Sequence, residues 1–514
     1  MVKYQLMSKN SRALSGRKIE RVMLIYPPVT FSPQSMKQSH LPLGLAYLAA
    51  VLRDVCEIRV LDAAVEGYHH EERAGEGLLR YGLPFSEPEV GTGGIEERIA
   101  EFGPDLVGVS CIFSSQFRNV IEVCRAARRV SPEIITVTGG THPTFLTERC
   151  LADESLDMVV RGEGEFTLRD LVLRSGDGER SPGGIPGLAW KDEAGKIRIN
   201  PAREPFPYLD EIPFPAWDMF PLEKYHKICL PMGIVYKQRP FMNLITSRGC
   251  PYRCTFCSST NFWGNRYRTR SPENVLEEME ILVRDYGIRE FKFFDDNLTV
   301  NKDRAKKIFK GMVERDFNVT WNTPNGIHVV SLDEDMLDLM KQSGCYELTL
   351  AVESGDPYVL KNIIKKPTDL KQVEDAAKRI RKKRIGSYGF FIIGFPGETK
   401  EQIQNTLDFS RKIKLDRIST FIANPLPGTK LYETALEKGY ISDSYSFDDI
   451  DYFEGRFDTE DWTREDIHRL RGNWFWRYNL GLLARHPLGF FSRYWPMIMR
   501  PRLLFEILLR RIRS

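Results

Sequence analysis

Apolar runs of roughly four to eight residues alternate along most of the chain with longer stretches whose apolar positions recur at helical spacing, the pattern of strand–helix units. In the first series Ile19–Tyr26 reads as a buried strand halted by Pro27-Pro28, Leu43–Arg53 as a helix with an apolar face, and Ile58–Asp62 as the next strand. Leu106–Ser110, Ile134–Thr138 and Met158–Val160 follow as strands, with a helix at Phe117–Val130. Such alternation predicts a parallel, doubly wound α/β sheet over residues 18–173, after a polar lead-in at 1–17.

Residues 174–240 break the pattern. A hairpin is expected at Gly187–Trp190 and Lys196–Ile199, and prolines stiffen Ile212–Trp217. The aromatic side chains of this connecting region want burial, so it should pack between its neighbours. A second α/β series then begins. Strands at Met242–Thr246, Glu290–Phe294, Thr320–Asn322, Glu347–Ala351, Gly389–Ile393 and Arg417–Asn424 predict a six-stranded, barrel-like parallel sheet over 241–440, followed by a helical region at 441–514.

In parallel sheets ligands lie beyond the carboxyl ends of the strands. That is where the small and polar residues fall: Ser110–Ser115, Gly139-Gly140-Thr141-His142 and Arg161-Gly162-Glu163-Gly164-Glu165 in the first series. The second has Asp295-Asp296-Asn297, Asn322-Thr323, Glu353-Ser354 and Gly394–Glu398. Any one loop is equally ordinary turn chemistry, but three on one edge favour a ligand. No G-x-G-x-x-G follows the first strand, which argues against a dinucleotide domain.

The length of 514 residues fits about three domains. Mean hydropathy is negative, and no run reaches the eighteen or so apolar residues of a spanning helix. The first residues lack an apolar signal segment, so a reducing cytoplasm is expected. Of nine cysteines, Cys56, Cys111, Cys124, Cys150, Cys229 and Cys345 lie apart and read as small buried hydrophobes. The other three, Cys250, Cys254 and Cys257, sit on one loop with C-x3-C-x2-C spacing. A closed zinc site or a complete ferredoxin cluster takes four ligands, so three leave one metal position open for a substrate. A zinc loop borrowing a distant His, or unrelated buried cysteines, are the competing readings.

This loop resembles that of the radical S-adenosylmethionine (SAM) enzymes. The resemblance implies a partial (β/α)6 barrel, with a [4Fe–4S] cluster on Cys250, Cys254 and Cys257 and SAM chelating the fourth iron. It implies an external electron donor such as flavodoxin or ferredoxin. Phe256, before the third cysteine, fits the pattern and also suits packing over the cluster. By the same resemblance Asp295 and Asp296 meet the SAM amine, Asn297 belongs to the SAM site beside them, Glu353 and Ser354 meet its ribose or carboxylate, and Gly394 to Glu398 its adenine. Helix capping or a solvated turn is the alternative for either Asp.

Leu41–Ala49 and the order of domains resemble the cobalamin-binding branch of that family. Cobalamin is then implied over Ser110, Gly139, Gly140 and the Gly162-Glu163-Gly164 loop. The D-x-H-x-x-G motif that supplies a cobalt-ligating His elsewhere is absent; His40 and His142 remain as candidates, and the lower face of cobalt is expected to lack a His. Cys254–Cys257, Phe262–Gly264, Asp295–Asn297 and Lys365–Pro367 carry a further resemblance to the phosphonate C-methyltransferase branch of fosfomycin biosynthesis. What this implies is a class B radical SAM methyltransferase, moving a methyl group from methylcobalamin to an unactivated carbon of a biosynthetic intermediate after hydrogen abstraction by a 5'-deoxyadenosyl radical. The cofactors carry that chemistry, so no acid–base pair is expected of the protein. The alternatives are a cobalamin-dependent radical SAM cyclase or oxidoreductase without methyl transfer and, from another class, a non-catalytic cobalamin sensor, against which the three-cysteine loop argues.

Charge adds two open questions. Arg266, Arg268 and Arg270 can bind a carboxylate or phosphate, or face solvent. Net charge is +3, yet residues 471–514 hold nine Arg and one acid, Glu506, interleaved with aromatic and aliphatic residues. That composition suits a peripheral helix on anionic lipid, with a lipid-like rather than a soluble small-molecule substrate, or a helical cap on the barrel. Nucleic acid is not an expected partner.

Overall fold

The computed structural model describes residues 18–32, 37, 39–75, 77–86, 93–176, 182–192, 194–228, 235–448 and 450–485. Cys229 and the basic stretch 486–514 of the tail lie outside them.

Apolar residues on both faces make the first strands fully buried. In β1 (Arg21–Tyr26), Val22 and Leu24 pack towards helices α1 (Leu43–Leu52) and α4 (Glu165–Gly176). Met23 and Ile25 pack oppositely, against α2 (Ile95–Phe102) and α3 (Phe117–Val130). This is the two-faced burial that a doubly wound sheet requires. The sheet is completed by β2 (Glu57–Asp62), β3 (Leu106–Ser110), β4 (Ile135–Gly139), β5 (Met158–Val160), β6 (Leu188–Lys191) and β7 (Ile197–Ile199), in the order β7-β6-β5-β4-β3-β1-β2. Five strands are parallel, while β6 and β7 form an antiparallel hairpin. That hairpin, expected inside a connecting region, instead extends the first sheet. A small antiparallel sheet of Val29–Phe31, Glu71–Gly75 and Leu78–Tyr81 stands apart, with no counterpart in the sequence reading.

The connecting segment is buried rather than loose. Ile212, Trp217, Phe220 and Tyr225 join the main core, Ala216 N donates to Ala46 O at 3.0 Å, and the Tyr225 hydroxyl donates to the buried Asp62 carboxylate. The same apolar cluster runs on into the second domain.

There six strands lie in sequential order, all parallel: β8 (Phe241–Leu244), β9 (Glu290–Phe293), β10 (Thr320–Ile327), β11 (Cys345–Glu353), β12 (Gly386–Ile393) and β13 (Arg417–Ile422). The crossover helices carry their own punctuation. In α5 (Pro272–Tyr286) the Ser271 side chain caps the first turn, proline begins it, and Gly287 at φ 65° ends it. In α6 (Lys400–Lys412) Thr399 and Gln402 form a capping box. A long helix, α7 (Arg464–Arg485), packs Trp474 behind α6, its indole N–H donating to Ser410 Oγ at 2.9 Å. It is helical as expected, and the portion described caps the outside of the sheet.

Candidate active site at the facing strand ends

β8 runs directly into the cysteine loop. Ser247–Arg248 pairs with Arg268–Thr269 as a two-stranded antiparallel ribbon, so both ends of the loop are fixed. Gly249 turns the chain at φ 86°, where a Cβ would come within 2.9 Å of Arg266 O. Past the turn, Cys257 N donates to Cys254 O at 3.1 Å, and Thr255 is tied to Ile364 O, Ile363 O and Leu431 N. Phe256 packs on Phe395 with ring centres 6.0 Å apart, and Tyr252 stacks on His328 at 4.6 Å.

On this loop Cys250 and Cys254 are half-buried and Cys257 is exposed, as is Asp296 from the next strand end. Among the described residues no set of three ligands is gathered tightly enough for one metal ion.

Other strand ends close around this loop. Asp295 is turned into the protein, accepting from Thr246 N, Thr246 Oγ1 at 2.7 Å and Ser247 Oγ, which pins the turn out of β8. Its neighbour Asp296 is exposed and accepts from Ser259 Oγ at 2.6 Å. Glu353, at φ 69°, ends β11 and accepts from the buried Lys366 ammonium at 2.9 Å. Ser354 is wholly buried against Thr406. Glu398 accepts from Gly394 N and Phe395 N, shaping the turn after β12, and burial raises its pKa to about 8. Asn297 Oδ1, Asn322 Oδ1, His328 Nδ1 and Glu398 Oε1 are buried with no hydrogen-bond partner among the described residues. Orphaned polar atoms at several strand ends are what a polar ligand such as SAM would satisfy.

The first domain brings its own strand ends to the same place. Ser110, Gly139, Gly140, Gly162, Glu163 and Gly164 are all partly exposed there. A Cβ on Gly140 would lie 2.5 Å from Cys111 O, whereas one on Gly162 would meet nothing within 4 Å, leaving room for a large ligand. The Glu163 side chain points to the barrel, pairing with Arg248 at 2.5 Å and with Arg268. His40 lies edge-on to Phe294, and His142 packs against Phe117 and Phe447. Burial lowers both to about 4, so both are neutral at pH 7.

The triplet of arginines divides between the expected outcomes, and the carboxylates bound are the protein's own. Arg268 and Arg270 are buried in ion pairs with Glu163 and Glu278, so they neither await an anion nor face solvent; Arg266 alone is exposed. Arg248, Tyr252 and His328 carry no separate signal in the sequence, although Arg248 and Tyr252 adjoin the cysteines, while Lys366 lies in the Lys365–Pro367 segment that bears the family resemblance.

Comparison with known proteins agrees with this geometry. Residues 244–410 match the radical SAM superfamily and residues 34–172 the B12 binding domain. Cytidylyl-2-hydroxyethylphosphonate methyltransferase of Streptomyces wedmorensis is 35% identical over 484 residues, 88% of this chain and 89% of that one. An anaerobic magnesium-protoporphyrin IX monomethyl ester cyclase of Rubrivivax gelatinosus is 29% identical over 358 residues, 69% of this chain and 62% of its own. Among solved structures, the radical SAM methyltransferase TsrM of Kitasatospora setae with cobalamin and a [4Fe–4S] cluster shares the fold, with TM-score 0.64, 21% identity and coverage of 82% and 79%. The cobalamin-dependent radical enzyme OxsB with aqua-cobalamin and SAM does so at TM-score 0.61 and 20% identity, covering 83% of this chain and 56% of its own. The chain belongs to the cobalamin-dependent radical SAM methyltransferases, and with that family it takes a [4Fe–4S] cluster, SAM and cobalamin.

Proposed function

We propose that this methyltransferase acts on a carbon of a biosynthetic intermediate whose flat, unsaturated part lies against the concave face of β12 and β13. When bound, SAM on the cluster supplies the radical that removes hydrogen, and cobalamin supplies the methyl group. The residues of the chain hold and exclude. Phe256 and Phe395 cover one side of the cysteine loop, Tyr252 and His328 another, which keeps water from the reacting atoms.

The observation that carries the proposal is burial alternation. In β12 and β13 every second residue is buried against the helices, and Tyr388, Phe390, Ile392, Arg417, Ser419 and Phe421 on the other face are only half-buried. Tyr388 and Phe390, then Phe390 and Phe421, meet edge-on, and Phe421 stacks on Phe453 at 5.4 Å. Tyr452, beside Phe453 in the chain, exposes 44% of its surface. Half-exposed rings in a hollow form a stacking surface. The Streptomyces relative acts on a cytidylyl phosphonate, whose base is a flat ring of this kind.

The test is anaerobic reconstitution with cobalamin, reductant and deuteromethyl SAM. Labelled methylcobalamin with S-adenosylhomocysteine supports methyl transfer. Deoxyadenosine with neither would favour the cyclase type of reaction.

A second reading concerns membranes. On α7 the outward face turns apolar towards its end, exposing Trp476, Leu480 and Leu483, just before the arginine-rich residues 486–514. No helix among the described residues can cross a bilayer, so contact would be peripheral. Co-sedimentation with phosphatidylglycerol vesicles but not with phosphatidylcholine vesicles supports this contact, and equal recovery with both removes it.

A further inference from the structure

The loop assigned to cobalamin and the loop that carries the cysteines are joined by a closed set of four charges. Glu163 stands between Gly162 and Gly164, directly after β5, and Glu165 opens α4. Arg248 lies two residues before Cys250, and Arg268 is its partner across the ribbon at the base of the cysteine loop. The Arg248 guanidinium spans both carboxylates, to Glu163 Oε2 at 2.5 Å and Glu165 Oε1 at 2.6 Å. Arg268 takes the other Glu163 oxygen and donates to Phe206 O at 2.8 Å and Trp263 O at 3.2 Å. The side chains are 6–11% exposed, and rings of Tyr47 and Trp263 flank Arg248 at 5.3 Å. Burial works against the Arg248 charge, but Glu165 and Glu163 more than offset it and hold the guanidinium protonated.

Such a set tolerates little displacement. Two positive and two negative groups are mutually neutralised out of water, and moving any one leaves the others uncompensated. The second anchor lies on the opposite flank of the cysteine loop. Phe145, from the helical turn after Gly140, fills the notch at Gly428, where a Cβ would lie 2.4 Å from its ring, and meets Phe262 edge-on. Both glycine-bearing loops of the first domain are therefore fastened to residues flanking the cysteines.

We propose that Glu163, Glu165, Arg248 and Arg268 act as positioning residues that couple the two cofactor sites. Fixing Cys250, Cys254 and Cys257 on a cluster fixes Arg248 and Arg268. These in turn fix Glu163 and the Gly162–Gly164 backbone, so cobalamin meets an ordered loop. Linkage is reciprocal: cobalamin must favour cluster retention by the same factor. This inference rests on the assignment of cluster and cobalamin to these two loops.

The test uses the full chain, anaerobically, and measures hydroxocobalamin binding by equilibrium dialysis before and after cluster reconstitution. Wild type should bind about tenfold more tightly with the cluster in place, within the usual range of coupling between sites. Arg268→Gln should bind cobalamin and assemble the cluster, yet show a change of less than about twofold, while Arg268→Lys should keep part of the coupling. Arg268→Gln is decisive, because it lies on the barrel and leaves Glu163 itself in place. A merely structural role would lower the melting temperature and leave the coupling factor unchanged, and that result overturns the proposal, as does a wild type without coupling. Should a glutamine variant fail to fold, Arg248→Lys and Arg268→Lys carry the same comparison. A wild type that binds no cobalamin in either state overturns the loop assignment itself, a different failure from binding without coupling.

Discussion

The concave face of the barrel has two unlike halves. On β9 to β11 it is charged and sealed, with its charges paired within the chain. Lys292, 1% exposed, donates to Tyr346 Oη and Val235 O at 2.6 Å and pairs with Glu290, which also accepts from Lys237 N and Gln238 N. Glu347 is held by Arg417 at 2.7 Å. On β12 and β13 the face is aromatic and half-open. Charges without water are satisfied internally and so are fixed before any ligand arrives; rings left half-exposed are satisfied only when something covers them. The first half belongs to the scaffold and the second to the substrate.

Four substitutions break or sharpen that contrast. Cys254→Ala removes the chemistry from both halves at once, so 5'-deoxyadenosine formation from SAM should drop to background while the circular dichroism spectrum is kept. Lys292→Met strikes the sealed half, leaving the buried Glu290 carboxyl short of its partner. That loss should cost about 3–5 kcal/mol in urea unfolding. Phe390→Ala strikes the open half. Methylated product should fall at least about tenfold, or about 1.4 kcal/mol, while deoxyadenosine is still formed and unfolding shifts less than in Lys292→Met. If instead Phe390→Ala abolished SAM cleavage together with methylation, the division of the face would be wrong.

The smallest effect concerns Glu398. Its pKa in the folded chain is raised from 4.5 to about 8, so the folded protein holds a proton that the unfolded chain has released. Stability from this group is fully present below about 4.5, declines as pH rises, and is lost through about 8. Glu398→Gln should flatten that decline in melting temperature between pH 5 and 8, because its amide oxygen can still accept from Gly394 N and Phe395 N.

How much of this was legible in sequence follows the same divide. β1, β3 and β5 announced themselves because both their faces are apolar, and Cys250, Cys254 and Cys257 because their spacing is local. β10 and β11 were read too short: Asn322, Thr323, Asn325 and Glu347 interrupt the apolar run while facing partners or the hollow inside. Glu71–Gly75 was invisible as a strand, being mostly charged, with alternate residues exposed at the edge of a small sheet. The ion set at Glu163 could not be foreseen, since its partners lie 85 and 105 residues away and only the packing of two domains brings them together. Arg268 and Arg270 look in sequence like any exposed basic run; burial alone distinguishes them from Arg266.

The final strand bears on how the chain is made. β13 has a neighbour on one side only, and at its end Ile422 N donates to Tyr452 O at 2.8 Å, thirty residues further along. Phe421 and Phe453 meet over the same edge, and Arg471 lies across Phe453. A ribosome therefore finishes all six strands before it has made the segment that shields the last of them. During that interval the edge is a bare template for another nascent chain. A polypeptide stopped at residue 440 would stay in that condition permanently, whereas one carried through α7 brings its own shield.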